Sequence, residues 1–172
     1  MAGSRRLELD EACFMLGAAY YALARSTASS LLEPIYISLF RESINYLLKG
    51  CVAKRARISE GSVQFADSLS DEWQSFKALE KDTKLSRFDH VIAALGKFGE
   101  IKTPTDIFEA GVHCSILLQK DALPNPMNSI NVAALDDLVQ CIFEKSHIPA
   151  SIYFEHLDPR LTIGLPNSFT DL

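Results

Sequence analysis

Helix start and stop signals divide this chain into one amphipathic segment after another. Apolar residues recur at three- and four-residue spacing, and a capping side chain, proline or glycine closes off each stretch. Asp10 is placed to cap a first helix whose Cys13, Leu16, Tyr20 and Leu23 share one face, running to about Ser29. Pro34 fits the first turn of a second helix, striped by Ile37, Phe40, Ile44, Leu47, Leu48 and Cys51, with basic residues after Gly50 at its C-terminal end. A polar stretch from Ile58 to Ser68 reads as a loop. Ser70 then caps a short third helix carrying Trp73, Phe76 and Leu79.

Ser86 and Asp89 have the spacing of a capping box before Phe88, Val91, Ile92 and Leu95, and Gly99 ends that fourth helix. Thr103-Pro104-Thr105-Asp106 opens a fifth, with Ile107, Phe108, Val112 and Leu117. After Pro124 and Pro126, Leu135, Leu138, Val139 and Ile142 mark a sixth from about Asn131 to Ser146. No run alternates in the manner of a half-buried strand. The expected fold is all-α: a single helical bundle of about five to six helices, residues 1–172. Residues 1–9 form an N-terminal arm and 148–172 an irregular apolar strap.

Beyond Pro149 the helical pattern decays, yet Ile152, Tyr153, Phe154, Leu157, Leu161, Ile163, Leu165 and Phe169 keep the tail too apolar for disorder. An extended strap with one short helical turn, packed on the bundle, is the expectation. A docking arm for a partner, or an arm exchanged in a dimer, is the alternative. With 172 residues and 48% hydrophobic side chains, there is enough chain for one substantial core.

A formal charge of −5 supplies no global field for a polyanion. The local basic patch Lys49, Lys54, Arg55 and Arg57 reads as the solvated end of a helix, so nucleic acid is not an expected partner. Arg25 interrupts the apolar run from Ala12 too early for a membrane span, and Glu8, Asp10 and Glu11 stand where a secretory signal avoids acid. Cys13, Cys51, Cys114 and Cys141 lie far apart in or beside apolar runs, as reduced core thiols in a cytoplasmic protein do, with two disulfides as the alternative.

No GxGxxG, P-loop or GxSxG pattern occurs, so no phosphate cradle or nucleophile elbow is expected, and no cofactor. His113 and Cys114 are adjacent, diverge by about 100° on a helix, and have no HxxxH partner, so no metal site is expected either. The candidate binding residues are Arg41, Glu42 and Asn45, grouped on the second helix, and His90 beside the stripe of the fourth. For the first three the competing role is the wet face of an amphipathic helix, and for His90 a hydrogen-bonded structural position. His147 and His156 flank Pro149 as surface residues.

The segment Leu39-Phe40-Arg41-Glu42-Ser43-Ile44-Asn45-Tyr46-Leu47-Leu48-Lys49-Gly50, followed some forty residues later by His90-Val91-Ile92-Ala93-Ala94-Leu95, resembles the HEPN superfamily of small helical bundles. Active members cleave RNA without metal, using an arginine followed four to six residues later by a histidine, the pair meeting across a dimer interface. Here Arg87 precedes His90 by three, and the other histidines have no arginine at that spacing. The resemblance therefore implies a dimerising, non-catalytic bundle that binds a protein or nucleotide partner, a homo-oligomer acting as an interaction module. Its alternative is an RNA-cleaving enzyme with a displaced site, in which His90 meets an arginine brought in by folding or by a second subunit.

Overall fold

A computed structural model describes residues 8–27, 33–99, 132–162 and 165–169. The protein is all-α. Among the described residues are α1 (Leu9–Thr27), α2 (Glu33–Ile58), α3 (Leu69–Glu80), a 3-10 turn (Thr83–Phe88), α4 (Asp89–Gly99), α5 (Val132–Ser146), α6 (Ser151–Phe154), α7 (Pro159–Thr162) and a last 3-10 turn (Asn167–Phe169). The helix expected from Thr103 lies outside them, as do the N-terminal residues 1–7.

The antiparallel pair of α1 and α2 organises the core, and two glycines set how closely it packs. A Cβ on Gly17 would stand 2.6 Å from Leu47 Cγ, and one on Gly50 would stand 3.1 Å from the Phe14 ring. Buried Ser43 donates its hydroxyl to the Gly17 carbonyl at 2.8 Å, an approach that a larger residue at either helix would obstruct. Tyr20 and Tyr46 stack with centroids 5.7 Å apart, and at the far end Arg57 meets Asp10 at 2.7 Å.

This contact corrects two expectations about α1. Asp10 does not cap the helix: it is buried in the first turn and paired with Arg57, while the backbone N–H of Glu8 is bound by the Glu11 carboxylate at 3.2 Å. The buried face is Cys13, Phe14, Gly17, Ala18, Tyr21, Ala22 and Ala24, leaving Leu16 and Leu23 outside. Every residue from Ala12 to Ala24 is apolar or glycine, so periodicity alone cannot orient the helix. Close approach to α2 selects the face with glycine and alanine, and the leucines turn outward.

Ser68, not Ser70, caps α3: its hydroxyl accepts from the Asp71 N–H at 3.1 Å, and Leu69 enters the core as a result. Trp73 and Phe76 are buried as expected, while Leu79 is half-buried. Ser86 lies within the 3-10 turn, and α4 starts at Asp89, which ties α3 to α4 by accepting from Trp73 Nε1 and Lys77 Nζ, both at 2.7 Å. Burial pushes the Asp89 carboxyl upward, but these two donors outweigh it and hold the group below the usual carboxylate range. Val91, Ile92 and Leu95 are buried, and Gly99 closes the helix.

Phe143 on α5 packs against Phe14, and Tyr21 on α1 donates to Asp136, which also lies 3.5 Å from Arg25. Lys54 reaches from α2 to the Ser146 carbonyl at 2.5 Å, so a cation caps the negative end of α5. The strap then folds back in cis. It contains two short α-helical turns and a 3-10 turn rather than one turn, and it buries Phe154, Leu165 and Phe169. Tyr21 receives the rings of Phe154 and Phe169 edge-on at 5.8 and 5.3 Å.

Glu72 is an exception in this core. One carboxylate oxygen accepts from the Ala66 N–H at 2.7 Å, while Oε1 is buried with no hydrogen-bond partner. Burial raises the Glu72 carboxyl, with the Ala66 N–H and Lys49 opposing it. A carboxyl raised by folding binds its proton more tightly in the folded state. Its contribution therefore favours the fold at low pH and is lost as pH rises from the ordinary carboxylate range through the raised value. Glu72→Gln is expected to remove that slope and to be more stable than the parent at pH 7, by on the order of 1 kcal/mol, because the amide oxygen can still accept from Ala66 N–H while no charge has to be buried. Thermal midpoints from acid to neutral pH check this, and a variant less stable at neutral pH would refute it.

Candidate functional site

The polar residues singled out on α2 do form a group. Arg41 and Glu42 are half-buried and pair with each other, and Asn45 lies half-buried one turn beyond Arg41. Only Nη1 of Arg41 donates to Glu42, and Arg41 Nε is buried with no hydrogen-bond partner among the described residues. His90 stands on another helix, in the first turn of α4, where it is exposed rather than in a buried structural position. The four residues do not share any of the described clefts. His147 and His156 are exposed, as expected.

Nucleophiles are withheld. Cys13, Cys51 and Cys141 are free thiols, the first two buried, and burial pushes all three upward, away from the reactive thiolate. Cys114 lies outside the described residues. Among the described residues no three His, Cys, Asp or Glu side chains are grouped to hold a metal ion.

A cleft of about 260 Å³ opens where α2, α3 and α5 end, lined by Lys54, Arg55, Lys145 and His147 together with Cys51, Ile58, Glu80 and Ser146. It contains part of the basic patch read from the sequence. Most of its cations already have partners: Lys54 binds the Ser146 carbonyl, Arg55 lies 3.7 Å from Glu80, and Lys145 lies 2.6 Å from Asp82. The rest of the patch is occupied too, with Lys49 over the Phe65 ring at 5.5 Å and Arg57 on Asp10. A polyanion would have to displace these contacts. The helix end that the patch complements belongs to α5 through Lys54, as well as to α2 itself.

Among the described residues, the outward face of α1 has no such partners. Leu9 is 49% exposed, Met15 45%, Leu16 44% and Leu23 37%, with half-buried Ala12 and Ala19 between them. A helix apolar on all sides belongs in an interior, and among the described residues one side of α1 faces the core. Contiguous exposed apolar surface of this kind marks a docking face. No protein-family model, curated protein or solved structure matches the chain. Function must therefore be argued from the site.

The sequence reading did not identify this face, because it assigned Leu16 and Leu23 to the core. A signal was available: Leu9, Leu16 and Leu23 are seven residues apart, a spacing that favours pairing between helices. Among the described residues no helix is long and apolar enough to cross a membrane.

Proposed function

We propose that the protein is a non-catalytic helical interaction module, working in the cytoplasm, that docks protein through the outward face of α1. The observation that carries this reading is the exposure of Leu9, Met15, Leu16 and Leu23 on one helix face. Raised thiols and the internally paired cations support it, since they leave the described residues poor in groups for nucleophilic or polyanion chemistry. In this reading the bundle is HEPN-like, and the arginine–histidine spacing needed for RNA cleavage is absent.

Tagged protein purified from its native host, compared with the surface variant Leu23→Glu, tests the reading. A stoichiometric protein held by the parent and lost from a folded Leu23→Glu variant is the expected result. Metal-independent RNA cleavage that disappears in His90→Ala would overturn it in favour of an enzyme.

A further inference from the structure

Asp10 and Glu72 are the carboxylates fully enclosed among the described residues, and they are served differently. Asp10 meets the Arg57 guanidinium at 2.7 Å. Glu72 is 1% exposed, accepts one hydrogen bond from the neutral Ala66 N–H at 2.7 Å, and keeps Oε1 buried with no partner among the described residues. An enclosed oxygen of that kind is tolerable on a neutral carboxyl and costly on a charged one. We infer that Glu72 is a proton-operated latch on the loop between α2 and α3, residues 59–68, which stays seated while the carboxyl is neutral and opens more often once the proton is lost.

The placement of the loop supplies the first argument. Ala66 belongs to it, so the donor to Glu72 is the loop backbone itself. Next to Ala66, the Phe65 ring lies under the Lys49 ammonium, 5.5 Å from its centroid. Apart from half-buried Val63 and Ala66, residues 59–68 are exposed, so these two contacts with charged side chains of the bundle fasten the second half of the loop. α3 is held more firmly: Leu69, Trp73 and Phe76 are buried, and Trp73 Nε1 donates to Asp89. When one side of the Glu72 contact gives way, it is the exposed loop that moves.

The surroundings of Glu72 set the direction of the switch. Lys49 of α2 acts on its charge, and that charge is felt by the Cys13 thiol of α1 and the Cys51 thiol of α2, with Asp10 acting on Cys13 as well. Burial lifts the Glu72 carboxyl, and neither the Ala66 N–H, Lys49 nor the positive end of α3 offsets it. Opening the loop gives Oε1 water, at the cost of the Ala66 hydrogen bond and the Phe65 contact.

In the opened state the carboxyl titrates in its ordinary range, whereas in the closed state it holds its proton to higher pH. Closure is therefore favoured at low pH. Opening rises by up to about tenfold per pH unit between the ordinary range and the raised value, and levels off above it.

Amide exchange of the full chain, followed by NMR and normalised at each pH to the unfolded-chain rate, is the test. Protection at Ala66 is expected to fall by up to about tenfold per pH unit through that window and then to plateau. Small additions of urea should leave Ala66 exchange unchanged while accelerating exchange at Leu47 and Ile142, since a local opening exposes little surface and global unfolding exposes much. In Glu72→Gln the pH slope at Ala66 is expected to vanish. In the parent alone, the Glu72 carboxyl carbon and the Ala66 amide proton should titrate together, with one midpoint above the ordinary carboxylate range. Protection at Ala66 that ignores pH, a slope that survives in Glu72→Gln, or a Glu72 midpoint in the ordinary range overturns the inference. Ala66 exchange that follows urea as the core does overturns it too, because the loop would then open only with the whole chain.

Discussion

Gly17→Val is expected to lower the unfolding free energy by about 3 kcal/mol, the upper part of the range for overpacking a well-filled core. The reason is the α1–α2 contact: even the first added carbon would meet Leu47 Cγ at 2.6 Å and the Leu47 backbone N at 3.1 Å. The side chain of Leu47 can shift, but its backbone can move only if the whole of α2 moves, which would also stretch the Ser43 hydroxyl away from the Gly17 carbonyl. Opposing effects are smaller. Removing glycine from a helix interior gains up to about 1 kcal/mol, less for a β-branched replacement. Gly17→Ala should therefore still be destabilising, by about 1 kcal/mol, where the same change on an exposed helix face would stabilise by a similar amount.

Urea unfolding with an unchanged slope measures the loss, and a double-mutant cycle assigns it. If contact with Leu47 is the cause, Gly17→Ala costs less in a Leu47→Ala background than in the parent. A Gly17→Val protein as stable as the parent would mean that α1 and α2 are not in close contact.

Phe154→Ala is expected to cost about 3 to 5 kcal/mol, the range for emptying a buried aromatic position. Phe154 is almost fully buried, although it sits in a four-residue helix of the C-terminal strap, and its ring lies within about 6 Å of Tyr21, Phe143 and Phe169. Its loss removes the anchor that joins the strap to α1 and α5. Protease cleavage between residues 147 and 169 should rise together with the fall in the urea midpoint. A docking arm held for another protein would behave differently: truncating Phe154 in the isolated chain would change stability by less than about 0.5 kcal/mol, as at an ordinary surface position.

Much of this architecture was legible in the sequence because it depends on local rules. Ile37, Phe40, Ile44, Leu47 and Leu48 on α2 stand opposite polar residues such as Arg41, Glu42, Asn45 and Lys49, and Val91, Ile92 and Leu95 on α4 stand beside His90 and Lys97, so each stripe has one orientation, and all its residues are buried. Val132–Ser146 falls within the expected sixth helix and ends at the residue expected, ahead of Pro149. The tail packs in cis, as its apolar composition implied.

The candidate site was less legible. Helical spacing placed Arg41, Glu42 and Asn45 on one helix, but it could not show that Arg41 pairs with Glu42 through Nη1 and keeps Nε buried without a hydrogen-bond partner among the described residues. His90 fell beside an apolar stripe in sequence and proved exposed in space.

What the sequence alone determined is the all-α class, most helix boundaries and the buried faces of those helices whose other sides are polar. These follow from interactions over one to four residues. Only the tertiary structure decided which side of α1 is inward, why Asp10 is buried, and which cations are already paired. Each of those depends on a residue distant in the chain: Leu47 against Gly17, Arg57 against Asp10, Glu80 against Arg55. An apolar helix has no preferred inner side until a neighbour requires close approach, and here α2 accepts the small residues and leaves the leucines facing outward.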